Sequence, residues 1–113
     1  FITSLNASAV EKETTFNIDS FNKAQSEGKI VVVSSWIKYC TSCASQMKAL
    51  KKLENEFDNV EYLSFEVTNR EIADFLNVQY QTTLLIFKDN KEIHRSIGMT
   101  KSDAIYKAIK SSI

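Results

Sequence analysis

The hydrophobic pattern along this 113-residue chain predicts an α/β fold, a central mixed β-sheet flanked by helices on both faces. Three observations carry that expectation. The run KIVVVSSW is β-branched and apolar at successive positions, as a strand covered on both faces requires. The segment after it places Cys43, Met47, Leu50, Leu53 and Phe57 at three- and four-residue steps, the period of one helix face. Further on, TLLIFK and EIHRSI are separated by a turn too short for a parallel crossover, so they pair antiparallel.

Taken in order, residues 1–12 (FITSLNASAVEK) show no periodicity and read as a flexible N-terminal arm, with residues 13–113 as a single domain. The arm contains Ala7-Ser8-Ala9, a small-residue triplet of the kind found at signal-peptidase sites, so an exported or periplasmic protein is expected, with a cytoplasmic one as the alternative. A marginal strand near residues 14–17 precedes a short helix carrying Phe21 and Ala24, capped by Asp19 or Ser20 and stopped at Gly28. KIVVVSSW is then the central strand. The helix after it turns Lys48, Lys51, Lys52, Glu54 and Glu56 to solvent, and Asp58-Asn59 marks the following turn.

VEYLSFEV alternates, with Leu63, Phe65 and Val67 on one face and Tyr62, Ser64 and Glu66 on the other. REIADFL is a short helix with Ile72, Phe75 and Leu76 inward. The hairpin follows, closed by Gly98, and an amphipathic helix carrying Ala104, Ile105, Ala108 and Ile109 ends the chain, capped by Thr100 or Ser102. The expected order is β-α-β-α-β-α-β-β-α.

Composition excludes several classes of function. The 14 acidic and 14 basic side chains balance, so no broad field draws nucleic acid or an anionic membrane. The longest apolar runs, residues 30–33 and 84–87, fall far short of the roughly 20 residues of a membrane span. The sequence has no Gly-rich phosphate loop, no Ser/His/Asp arrangement and no metal-spaced histidine cluster. His94 is the sole histidine and lies far in sequence from both cysteines, so no metal site is expected.

Those cysteines, Cys40 and Cys43, stand where the central strand gives way to the helix. Cys40-Thr41-Ser42-Cys43 is a redox couple, half of a metal site, or a structural pair. A redox thiol needs a lowered pKa and access to solvent, and the free amides and positive dipole end of a helix N-terminus favour a thiolate. A zinc site normally needs four ligands, and Thr41 and Ser42 do not read as core. The context of buried strand before and amphipathic helix after favours the redox reading over the other two.

From about residue 16 to residue 113 the chain resembles the thioredoxin family. Trp36-Ile37-Lys38-Tyr39-Cys40-Thr41-Ser42-Cys43 is similar to the family's Trp-x-x-Trp-Cys-Gly-Pro-Cys, and TTLLIFKDNKEIHRSIG to its Pro-Thr strand, hairpin and groove glycine. The resemblance implies a thioredoxin-like fold and a thiol:disulfide oxidoreductase that reduces or exchanges disulfides in protein substrates. It implies Cys40 as nucleophile, Cys43 as buried resolving thiol, and a substrate-binding surface of Trp36, Tyr39, Thr41, Ser42, Gln81, Thr82, Thr83, Gly98 and Met99. The implied partners are disulfide-bearing proteins and a partner protein that reduces or oxidises the dithiol. A monomer without a cofactor, a membrane span or nucleic acid is expected.

Three departures from the family pattern alter those expectations. The family's buried Asp, thought to help deprotonate the second cysteine, falls on Ser34, which is no base near neutral pH, so the proton must travel by water or another group, with Glu66 a candidate. Its cis-proline falls on Thr82; the chain has no proline, and the Gln81-Thr82 peptide is expected to be trans, because a non-proline cis bond costs about 3–4 kcal/mol. Losing the ring is expected to open space over the sulfurs. That makes a redox-inactive or metal- or iron–sulfur-binding module of the same fold the alternative function. The helix-kinking proline falls on Lys48, so the helix after Cys43 is expected to run straighter.

Overall fold

The computed structural model describes residues 14–113. The expected arm over residues 1–12, its Ala7-Ser8-Ala9 triplet and the boundary at residue 13 lie outside the described residues. The described elements are α1 (Ile18–Ser26), β1 (Ile30–Trp36), α2 (Thr41–Leu53), β2 (Val60–Glu66), α3 (Arg70–Leu76), β3 (Thr83–Lys88), β4 (Lys91–Ile97) and α4 (Ser102–Lys110).

The four strands form one sheet in the order β2-β1-β3-β4. β1 pairs parallel with β2 and antiparallel with β3, and β3 pairs antiparallel with β4, so the sheet is mixed, as expected. β1 is central, and all seven of its residues are buried. The alternation of a strand then sorts the core into two layers. Ile30, Val32 and Trp36 pack with Cys43, Met47, Leu50 and Leu53 of α2 and Ile105 and Ile109 of α4. On the opposite face Val31 and Val33 pack with Phe21 and Ala24 of α1, Ala73 and Leu76 of α3, and Phe65 of β2. Helices therefore cover both faces, and the N-terminus of α2 lies at the C-terminal end of β1.

The hairpin turn is the two residues Asp89 and Asn90, both at positive φ (52° and 66°), the twist that a two-residue loop needs to match its strands. Asp and Asn tolerate that region better than most residues.

Several local expectations are corrected. No strand is assigned over residues 14–17. Instead Thr15 N and Phe16 N both donate to Ser64 O (2.8 and 3.0 Å), and Thr15 Oγ1 accepts from Ser64 N (3.0 Å). Two amides converging on one carbonyl do not make a ladder, but they cover the outer edge of β2. The cap of α1 is Asn17, whose Oδ1 accepts from Ser20 N at 2.8 Å, and not Asp19 or Ser20. The residue before α4 is Lys101, which makes no side-chain cap, and not Thr100 or Ser102.

α2 ends at Leu53, so Phe57 lies beyond the helix and packs on Tyr106 with ring centroids 5.2 Å apart. Tyr62 and Ser64 are buried along with Leu63 and Phe65, because β2 has core on one side and residues of α2 and the N-terminal segment on the other. Phe75 was expected inward but is 49% exposed; α3 buries Leu76 as expected and Ala73 in place of Phe75, which sits edge-on against Phe21 at 6.1 Å. Seven residues make barely two turns, too few for a wide apolar stripe.

Candidate active site

Cys40 and Cys43 form a disulfide, their Cα atoms 5.2 Å apart. Cys40 is the N-cap of α2: its backbone is extended (φ −100°, ψ 111°) and its Sγ accepts from Cys43 N at 3.1 Å. An amide that would otherwise lack a partner is thus aimed at the sulfur, and the dipole of a 13-residue helix points the same way. The last turn carries Lys51 and Lys52, which complement the opposite pole. Cys43, one turn in, is fully buried, whereas Cys40 is half-buried and packs at the margin of the core. One sulfur can meet a second protein and the other cannot.

The loop before β3 closes over this pair. Thr82 is 3% exposed and its Oγ1 lies 3.2 Å from Cys43 Sγ, 3.6 Å from Cys40 Sγ and 2.8 Å from Ser42 Oγ. The expected opening over the sulfurs is therefore absent, since the threonine side chain fills it. No peptide bond among the described residues is cis, so Gln81-Thr82 is trans as expected. Thr82 instead has φ 60°, a region β-branched residues rarely occupy, which costs on the order of 1–3 kcal/mol. Tyr39, just before the disulfide, also has positive φ (61°) and is 99% exposed. Two strained residues flank the disulfide, the pattern expected where geometry serves chemistry.

Backbone hydrogen bonds hold Thr82 in place. Its N–H donates to Ser35 O (2.9 Å) and its carbonyl accepts from Gly98 N (2.9 Å), which also joins the loop to the end of β4. Gln46, fully buried on α2, donates from Nε2 to Met99 O (2.9 Å) and to Thr82 O (3.4 Å). Ser35 Oγ donates to Tyr80 O (2.9 Å) and accepts from Thr83 N (3.0 Å). Gln46 and Ser35 went unnoticed in the sequence. Gln46 carried a usable signal, a polar residue one turn after Cys43 on the helix's buried face; Ser35 carried none beyond its place at the end of a buried strand.

The remaining sequence-predicted residues fall into two groups. Tyr39, Thr41, Ser42, Gln81 and Gly98 are exposed around the disulfide and Met99 is half-buried. Trp36 and Thr83 are buried: Trp36 is in phase with Ile30 and Val32 on the α2 face, and Thr83 Oγ1 donates to Tyr80 O at 2.7 Å. Ser34 faces α2 as well, but its Oγ is directed to Met47 Sδ at 3.8 Å. Glu66 lies at the end of β2 opposite Trp36. Tyr80, 57% exposed beside the same loop, joins the surface without having been predicted.

His94 is apart from the site, half-buried on β4 with Nε2 3.0 Å from Ser96 Oγ. Burial holds its pKa below the ordinary 6.5. With the folded value depressed, the unfolded chain binds the proton first as pH falls, so stability is full above about 6.5 and declines below it. The urea midpoint is expected to drop modestly as pH is lowered from about 7 to about 5, and His94→Gln to flatten that slope. Glu92, held below its ordinary value by the hydrogen bond from Arg95, adds its own loss only at lower pH.

Comparison with known proteins bears directly on this arrangement. The thioredoxin family model matches residues 11–111. A thioredoxin of H type from Fagopyrum esculentum is 23% identical over 90 residues, covering 79% of this chain and 78% of the relative. Thioredoxin from Bacillus subtilis is 27% identical over 96 residues, covering 83% and 91%. In structure, oxidised mitochondrial thioredoxin 3 from Saccharomyces cerevisiae superposes with a TM-score of 0.74 at 24% identity, covering 91% of this chain and 98% of that one.

Proposed function

The chain belongs to the thioredoxin family, and from that premise we propose that Cys40 is its nucleophile, Cys43 its resolving thiol, and the loops around them its substrate-binding surface. The protein is a thiol:disulfide oxidoreductase that acts on protein disulfides through a Cys-x-x-Cys couple. The observation that carries the assignment of roles is the unequal exposure of the two disulfide-bonded cysteines at the N-terminus of α2, Cys40 half-buried and Cys43 fully buried.

In the reducing direction the Cys40 thiolate, favoured by the Cys43 amide and the helix dipole, attacks a substrate sulfur and forms a mixed disulfide. Cys43 then attacks Cys40 Sγ, restoring the intramolecular disulfide and releasing the substrate as a thiolate. The substrate lies across Tyr39, Thr41, Ser42, Gln81, Gly98 and Met99, with Thr82, Thr83 and Trp36 packed beneath them. The strained turn at Tyr39 presents its ring to solvent, where it serves as an apolar contact for the partner.

Reduction of insulin by dithiothreitol is the direct test. The native protein is expected to accelerate it and Cys40→Ser to return it to the uncatalysed rate; equal rates for the two would sink the assignment. The partners are disulfide-bearing proteins and a dithiol-reducing or dithiol-oxidising protein, met by a monomer, which size-exclusion chromatography at several concentrations would check. An exported or periplasmic setting is supported by Ala7-Ser8-Ala9 and is tested by fractionating cells that carry the intact gene. Thr82 Oγ1, 3.2 Å from Cys43 Sγ and 3.6 Å from Cys40 Sγ, supports the disulfide-exchange reading over cluster binding.

A further inference from the structure

We propose that Thr82 is a catalytic residue, its hydroxyl relaying the Cys43 proton through Ser42 to solvent in place of a buried acid. The inference rests on the oxidoreductase reading and extends it to the resolving step. Cys43 has no exposed surface, so water does not reach its sulfur directly. Ser34, where a carboxylate would be expected, points to Met47 Sδ. The hydroxyl that does touch Cys43 Sγ is Thr82 Oγ1, at 3.2 Å. Its next neighbour is Ser42 Oγ, 2.8 Å away on an exposed residue, so the path from buried sulfur to solvent is two hydroxyls long.

Hydroxyls suit this task because each donates one proton and accepts another. In the mixed disulfide Cys43 is a thiol. Its proton passes to Thr82 Oγ1 as the Thr82 proton passes to Ser42 Oγ and the Ser42 proton to water. The Cys43 thiolate attacks Cys40 Sγ; the Cys40–Cys43 bond forms, and the bond from Cys40 to the substrate breaks with its electron pair on the substrate sulfur. That thiolate takes a proton from solvent. The two protein sulfurs end oxidised and the substrate disulfide ends reduced, so no further oxidant or reductant is involved. In the reverse direction the same hydroxyl donates to Cys43 Sγ as it becomes the leaving thiolate.

The positive φ at Thr82 fits this role, because the hydrogen bonds to Ser35, Gly98 and Gln46 hold a strained backbone in the position that aims Oγ1 at the sulfur.

The test uses the fully reduced protein and the aromatic disulfide dithiobis(nitrobenzoate), whose coloured thiolate is released once by Cys40 attack and again by Cys43 resolution. Stopped-flow records the two phases. Thr82→Val keeps the β-branched shape and removes the hydroxyl; it is expected to slow the second phase at least about tenfold more than it slows the first, with the pH profile of the second phase moved to higher pH. Thr82→Ser is expected to restore the second phase to within about threefold, and Ser42→Ala to slow it in the same direction as Thr82→Val. A second phase unchanged in Thr82→Val, or equally slow in Thr82→Ser, would overturn the proposal, as would a native-like second phase in Ser42→Ala. Absence of the first phase in the native protein would instead overturn the oxidoreductase roles of Cys40 and Cys43.

Discussion

Cys43→Ser is expected to trap the protein on its substrate. Cys40 remains at the helix N-cap with the amide of residue 43 beside it, so the first attack proceeds and a mixed disulfide forms. With no thiol one turn away, the adduct has no internal route to resolution, and turnover should fall by roughly a thousandfold or more. Non-reducing electrophoresis and mass spectrometry should find the adduct on Cys40, dissolved by added dithiothreitol. Cys40→Ser should give no adduct at all, since the remaining sulfur at Cys43 is fully buried. An adduct on Cys43 would reverse the assigned roles.

The second large effect is on stability. Phe65→Ala should cost about 3–5 kcal/mol, a large share of the roughly 5–15 kcal/mol that holds a domain together. Phe65 is fully buried and packs in the layer formed by Val31, Val33 and Leu85, with the Phe16 ring 6.3 Å away. Removing the ring leaves a cavity that a central strand and two helices cannot collapse to fill. The loss should appear as a lower urea midpoint with the slope nearly unchanged, measured on the oxidised protein. An unchanged midpoint would mean that the layer between α1, α3 and the sheet contributes less than its burial implies.

How much of this was legible beforehand depended on how local the cause was. β1 announced itself because a strand covered on both faces must be apolar throughout, and α2 because its core face repeats with the helical period. The hairpin could be read because its turn was too short for any other pairing. The caps differ from expectation by two or three residues at α1 and by one at α4; at α1, Asn17, Asp19 and Ser20 are all competent caps and the choice depends on where the chain leaves the sheet edge. Phe75 was misread because a short helix offers a narrow buried stripe, and which residues fill it is settled by the neighbouring elements.

The sequence by itself determined the sheet-and-helix order, the two cysteines at a strand-to-helix junction and hence the redox couple, because periodicity and one-turn spacing are properties of neighbouring residues. Only the tertiary structure decided what surrounds the sulfurs. Thr82 lies 39 residues from Cys43 and Met99 lies 53 from Gln46, and nothing in local pattern says which side chain will meet across such separations. The missing proline promised an opening; the folded chain filled it with a hydroxyl, because β3 pairs beside β1 and the hydrogen bonds of Ser35, Gly98 and Gln46 press the Thr82 loop onto the helix N-terminus.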